Sequence, residues 1–131
     1  MPGYSKTPLA RKLGIKPGRR IALLNAPPGF ASNLGPLPDG ATLLANPRQP
    51  ADLTLWFVRN RRQLQRGIGA RVAALGTDGI WIVWPKKSRN PATDIDRDGV
   101  RREGLRAGLV DFKIAAVDET WSGLKFTRRR E

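Results

Sequence analysis

Four short stretches of this sequence carry residue types at spacings that chemistry could use. DIDRDG (Asp94–Gly99) sets the carboxylates of Asp94, Asp96 and Asp98 at alternate positions before a glycine, as a calcium-binding loop begins. The twelfth position of such a loop needs a bidentate glutamate and is Leu105 here; the eighth, usually apolar, is Arg101. The shell is short of two oxygens, so the stretch reads instead as the acidic first turn of a helix capped by Thr93. WPKK (Trp84–Lys87) offers an indole that can stack on a base, and two lysines, Lys86 and Lys87, that can meet an anion. Its plainer reading is a core tryptophan followed by solvated lysines. DETWSG (Asp118–Gly123) gathers acid, hydroxyl and aromatic groups in what reads as a turn; Asp118 or Glu119 would be the acid–base group if the chain were an enzyme. NAPPGF (Asn25–Phe30) halts an apolar run and reads as a rigid strand-ending turn.

Composition narrows the chemistry further. The 131 residues contain no cysteine and no histidine, which removes thiol nucleophiles, thiolate metal sites and the commonest general base. Catalysis would fall to the 11 carboxylates, the lysines, Tyr4, hydroxyls or a bound cofactor. Hydrophobic residues make up 40%, enough for a packed core in one domain spanning 1–131. The net charge of +13 suits a phosphate-rich partner, although the basic residues are scattered in five clusters along the chain. No apolar run approaches a membrane span, and the opening MPGYSKTPLARK lacks the apolar middle of a secretory signal, so a cytoplasmic protein is expected.

The elements that must position these residues centre on Leu53–Trp84. LTLWFV (Leu53–Val58) and IWIVW (Ile80–Trp84) are apolar without polar alternation, as strands covered on both faces are. Between them Leu64, Ile68, Val72 and Leu75 recur at helical spacing, with Asn60 placed as the cap and Gly76 and Asp78-Gly79 at the end. Strand, helix and strand together make one right-handed βαβ unit. GIGA (Gly67–Ala70) loosely echoes a dinucleotide loop but falls inside this helix, where it carries no such meaning.

Before the unit, Thr7 caps a short helix with Pro8 at its first position, and Gly14 ends it. IALLNA (Ile21–Ala26) is the first strand, a helical turn follows at Phe30–Leu34, and the proline-rich Gly35–Pro50 supports at most an edge strand at Ala41–Ala45. After it, a helix runs from about Ile95 to Ala107. The end forms two strands joined at Glu119–Gly123, with Leu124–Arg128 antiparallel near an edge.

PGYSKTPLARKLGIKPG at the start, WPKK, and AGLVDFKIAAVDETWSGLKF at the end resemble an uncharacterised family of small bacterial proteins, which brings no established activity. The order of elements also resembles a shortened class I methyltransferase of Rossmann-like fold. LGIKPGRRIALLNAPPG stands where those enzymes run from a strand into a glycine-rich cofactor loop, and DGIWIVWP and the terminal hairpin match later elements. The first loop here has a single glycine, and Ala45-Asn46-Pro47 stands where that family has an acidic residue for the ribose hydroxyls. NAPPGF is similar too to the Asn-Pro-Pro-aromatic loop of amino-group methyltransferases, with alanine interrupting the pattern and glycine before Phe30.

The resemblance implies a single-domain α/β three-layer sandwich with a mainly parallel sheet and an antiparallel C-terminal strand. Asn25, Pro27, Pro28, Gly29, Phe30, Arg59, Asn60, Trp84, Lys86 and Lys87 would form its ligand edge, because they leave the C-terminal ends of the parallel strands. The expected role is a non-catalytic module for an anionic ligand or protein partner, with no resident cofactor. A small S-adenosylmethionine- or nucleotide-dependent enzyme and a non-specific nucleic-acid binder stay open as alternatives.

Overall fold

The computed structural model describes residues 8–44 and 48–130. Six strands form one sheet: β1 (Arg20–Leu24), β2 (Thr42–Leu43), β3 (Leu53–Phe57), β4 (Ile80–Pro85), β5 (Leu109–Ala116) and β6 (Trp121–Arg128). Their spatial order is β2-β1-β3-β4-β6-β5. The first four are parallel, while β6 runs antiparallel to both β4 and β5. All six residues of β4 are buried, as a central strand without polar alternation must be.

Each face of the sheet owns a separate apolar cluster. Ile21, Leu55, Phe57, Trp81 and Trp121 face the short helices α1 (Leu9–Lys12) and α2 (Phe30–Asn33). Trp56, Ile82, Trp84, Leu124 and Phe126 face α3 (Arg61–Ala73) and α4 (Arg97–Arg106). The result is the expected three-layer α/β sandwich. No helix among the described residues is long and apolar enough to cross a membrane.

Both long helices carry a glycine where a sheet aromatic ring presses against them. A Cβ at Gly67 would lie 2.5 Å from Cζ2 of Trp56, and one at Gly104 would collide with the Phe126 ring. GIGA is thus explained by helix–sheet approach. Gly69, on the opposite side of α3, faces open space.

Several boundaries differ from those read in the sequence, each for a local reason. Pro8 is the N-cap of α1 and not its first helical residue; Thr7 lies outside the described residues. β2 is confined to Thr42–Leu43, and Ala45 also lies outside them. The cap of α4 is Asp96, whose Oδ1 accepts the Gly99 N–H at 2.8 Å, so the helix starts at Arg97. Thr93 Oγ1 accepts only the Ile95 N–H, at 3.4 Å. The terminal turn closes earlier than expected, at Val117–Thr120, because Asp118 Oδ1 accepts the N–H groups of Thr120 and Trp121, each at 2.8 Å. Trp121, Ser122 and Gly123 therefore belong to β6.

Candidate ligand site at the C-terminal strand edge

Because β1, β3 and β4 run in the same direction, their last residues reach one edge of the sheet. β6 runs the other way, so it is the first residue, Trp121, that arrives there, paired with Pro85. From β1 the sheet grows to β2 on one side and β3 on the other, which makes the β1/β3 boundary the point where strand order reverses. Ligands of open α/β sheets bind outside such a boundary.

At that boundary the chain builds upward from an aromatic stack. Phe30 meets Phe57 edge-on at 4.7 Å, and Phe57 meets Trp121 in the same manner at 5.2 Å. Arg59 lies above Trp121, 5.4 Å from the ring centroid, and its Nη1 donates to the Asn25 carbonyl at 3.0 Å. Asn25 itself adopts a left-handed φ of 59°, which turns the chain out of β1. The Arg59 backbone is fixed by the start of α3. Its N–H donates to Gln63 Oε1 at 2.7 Å, while Asn60 Oδ1 accepts the Gln63 N–H at 2.8 Å. Arg59 makes no ion pair among the described residues, so its remaining guanidinium donors face solvent at the edge.

Below Asn25, on the α3 side, lies a groove of about 450 Å³. Its lining is Leu24, Asn25, Trp56, Gln63, Arg66, Gly67 and Arg71. The Arg71 Nε that borders it is buried and has no hydrogen-bond partner among the described residues. Buried donors are nearly always paired, so an orphaned one beside a groove points to a ligand acceptor. On the other side of Arg59, Lys86 anchors the terminal turn: its N–H donates to Thr120 O at 2.8 Å and its Nζ to Asp118 O at 2.7 Å. Arg89 Nη2 and Glu119 Oε2 pair at 3.0 Å on the exposed rim.

The expected site residues separate into three groups. Asn25, Arg59 and Lys86 meet at this edge, with Pro28, Gly29 and Lys87 exposed on the loops around them and Pro27 half-buried. Asn60 is consumed as the helix cap. Phe30 and Trp84 are corrected: Phe30 is 2% exposed beneath the stack, and Trp84, 5% exposed, packs with Trp56 on the α3/α4 face and cannot stack on a ligand at the edge. The carboxylates of DIDRDG do not converge either. Asp94 Oδ1 accepts the Arg61 N–H at 2.8 Å, Asp96 caps α4, and Asp98 lies beside Arg97. Among the described residues no group of three His, Cys, Asp or Glu could hold a metal, and the calcium-loop reading falls.

Trp56, Gln63, Arg66, Arg71 and Trp121 were missed. Gln63, Gly67 and Arg71 recur at four-residue spacing along one stripe of α3, a signal present in the sequence. Trp121 was hidden by its assignment to a turn.

No family model matches this chain, and no curated protein matches it by sequence. Solved structures do match. A Sulfolobus solfataricus protein described as a presumptive type 11 methyltransferase aligns with a TM-score of 0.60 at 13% identity, over 94% of this chain and 90% of its own. A Streptococcus agalactiae protein of the NADB-Rossmann superfamily aligns with a TM-score of 0.54 at 11% identity, covering 96% and 69%. LepI, solved with SAH and a substrate analogue, aligns with a TM-score of 0.54 at 15% identity, over 92% of this chain but 39% of LepI. At these identities the likeness establishes a class I methyltransferase-like Rossmann fold, and the fold alone.

Proposed function

We propose that this protein binds an anionic, ring-bearing small molecule of the adenosyl or nucleotide class at the β1/β3 boundary. The observation that carries the reading is the groove beneath Asn25, where an indole wall, two arginines and an orphaned Arg71 Nε converge at the strand-order reversal. Its volume of about 450 Å³ lies within the range of small-ligand sites. In this reading Arg66 and Arg71 take the anionic part, Arg59 receives a second acidic group at the rim, and the edge of the buried Trp56 indole forms the apolar floor of the groove.

An S-adenosyl compound fits this donor set through its carboxylate and its ring. LepI, a fold neighbour, was solved with SAM and with SAH, which supports that choice of ligand class. S-adenosylmethionine when bound supplies an electrophilic methyl group. This chain's own residues would bind and orient it. Both rim carboxylates have structural partners: Asp118 Oδ1 accepts two backbone N–H groups and Glu119 is paired with Arg89. Binding without efficient methyl transfer is therefore the leading form of the proposal.

The test is thermal-shift screening against S-adenosylhomocysteine, S-adenosylmethionine, AMP and ATP, followed by titration of Arg71→Met. Stabilisation by one of these, lost in the variant, is expected. A fold indifferent to all four ends the proposal.

One arrangement supports a second reading. α3 and α4 lie side by side on one face, with Arg61, Arg62, Arg66, Arg102 and Arg106 exposed on that layer. The scattered charge of the sequence is thus partly gathered, as a nucleic-acid backbone would require. Such binding would weaken by roughly 0.9 log units per phosphate contact for each decade of salt.

A further inference from the structure

A second cavity of about 330 Å³ opens at the opposite, N-terminal edge of the parallel strands. Gly14, Lys16, Thr77, Asp78, Phe112 and Lys125 border it, with Thr127 completing the wall. The side chain of Lys125 reaches it from the middle of β6 while remaining only 8% exposed. An ammonium has three protons to place. Among the described residues its acceptor is a single carbonyl, Leu13 O, at a long 3.5 Å. The Trp81 and Phe112 rings lie 5.9 and 5.7 Å from Nζ. No ion pair reaches it among the described residues; Asp78, the carboxylate of the cavity, is paired with Arg19 at 3.3 Å. Even Gly14 serves the amine, because a Cβ there would stand 2.8 Å from Nζ.

We propose that Lys125 is a nucleophilic amine that captures a small carbonyl-bearing carboxylate, a 2-oxo acid, as an imine. Burial lowers its affinity for a proton first, the charges of Lys113 and Lys16 lower it further, and Asp78 opposes them. Those conditions activate lysine nucleophiles elsewhere: desolvation and neighbouring cations. The exposed ammonium group of Lys16, which borders the cavity, also supplies the charge that a carboxylate needs.

The reaction balances without an oxidant or reductant. The lone pair of the neutral amine forms a bond to the carbonyl carbon, and the carbonyl electron pair moves to oxygen, which takes up a proton. That oxygen then leaves as water and a C=N bond replaces C=O. Asp78, Thr77 and Thr127 line the same cavity and can relay the protons between nitrogen and the departing water.

The experiment uses the intact protein with glyoxylate and cyanoborohydride near neutral pH, and peptide mass spectrometry to read the reduced adduct at each lysine. Lys125 should label several-fold faster than Lys87, even though Lys87 is exposed and Lys125 is not. Propionaldehyde, which lacks the carboxylate, should show a smaller preference for Lys125. Labelling of Lys125 no faster than Lys87 would overturn the proposal, and so would equal preference for the two carbonyl compounds.

Discussion

Arg59 lies over the ring of Trp121 with 5.4 Å between guanidinium carbon and ring centroid, although the two are 62 positions apart in sequence. The contact joins the end of β3 to the beginning of β6. It also holds, at the point where strand order reverses, a cation that makes no ion pair among the described residues. An exposed cation–π pair contributes on the order of 0.5–1 kcal/mol. Arg59→Ala should therefore cost about that much in urea unfolding while removing most of the ligand affinity. A loss of stability well beyond that range would make Arg59 a structural residue.

The glycines of the two long helices should respond in opposite senses. Gly104→Ala must push Cβ into the Phe126 ring, and overpacking of this kind costs about 1–3 kcal/mol against a helix-propensity gain near 1. Gly69→Ala meets open space and should stabilise by up to about 1 kcal/mol. Thermal unfolding of the two variants reads the contrast directly; stabilisation by both would show that α4 does not press on Phe126.

Asp118 distinguishes a turn-forming role from catalysis. Its Oδ1 accepts two backbone N–H groups, and an asparagine oxygen can do the same. Asp118→Asn should keep the fold within about 1 kcal/mol and leave ligand binding unchanged, whereas Asp118→Ala should cost about 1–2 kcal/mol through the orphaned donors. A methyl-transfer activity that Asp118→Asn abolished would assign this carboxylate to catalysis.

Lys125 gives the fold a pH dependence of definite sign. Folding holds its pKa below the ordinary 10.5, chiefly through burial, with Lys113 and Lys16 adding to the effect and Asp78 opposing it. Between the folded value and 10.5 the unfolded chain binds more protons, so stability from this site rises with pH across that window. The difference in urea midpoint between wild type and Lys125→Met should move in favour of wild type as the pH climbs through the alkaline range. A difference independent of pH would contradict it.

The fold was legible because apolar runs and turn residues agreed with one another. IALLN, LTLWFV and IWIVW lack polar alternation, and all three lie in the parallel part of the sheet. Capping was legible only where a single candidate stood. Asn60 was unique before α3, but Thr93, Asp94 and Asp96 all preceded α4, and geometry alone decides among competing acceptors. The site was half legible. Residues that follow strand ends, such as Asn25 and Arg59, could be placed by topology alone. Trp121 could not, because its position depends on the register of β6 against β4, with Pro85 opposite Trp121. Trp84 misled for a related reason: its place at a strand end was readable, but the face to which its ring turned depended on strand parity.

The central claim, an anionic ring ligand at the β1/β3 boundary, is tested most directly by mapping amide NMR shifts during titration with S-adenosylhomocysteine. The account predicts saturable shifts at Leu24, Asn25, Trp56, Arg59, Gln63 and Arg71, with the β5 amides unmoved. No saturable shift at these residues, or shifts confined to the α4 surface, would contradict it.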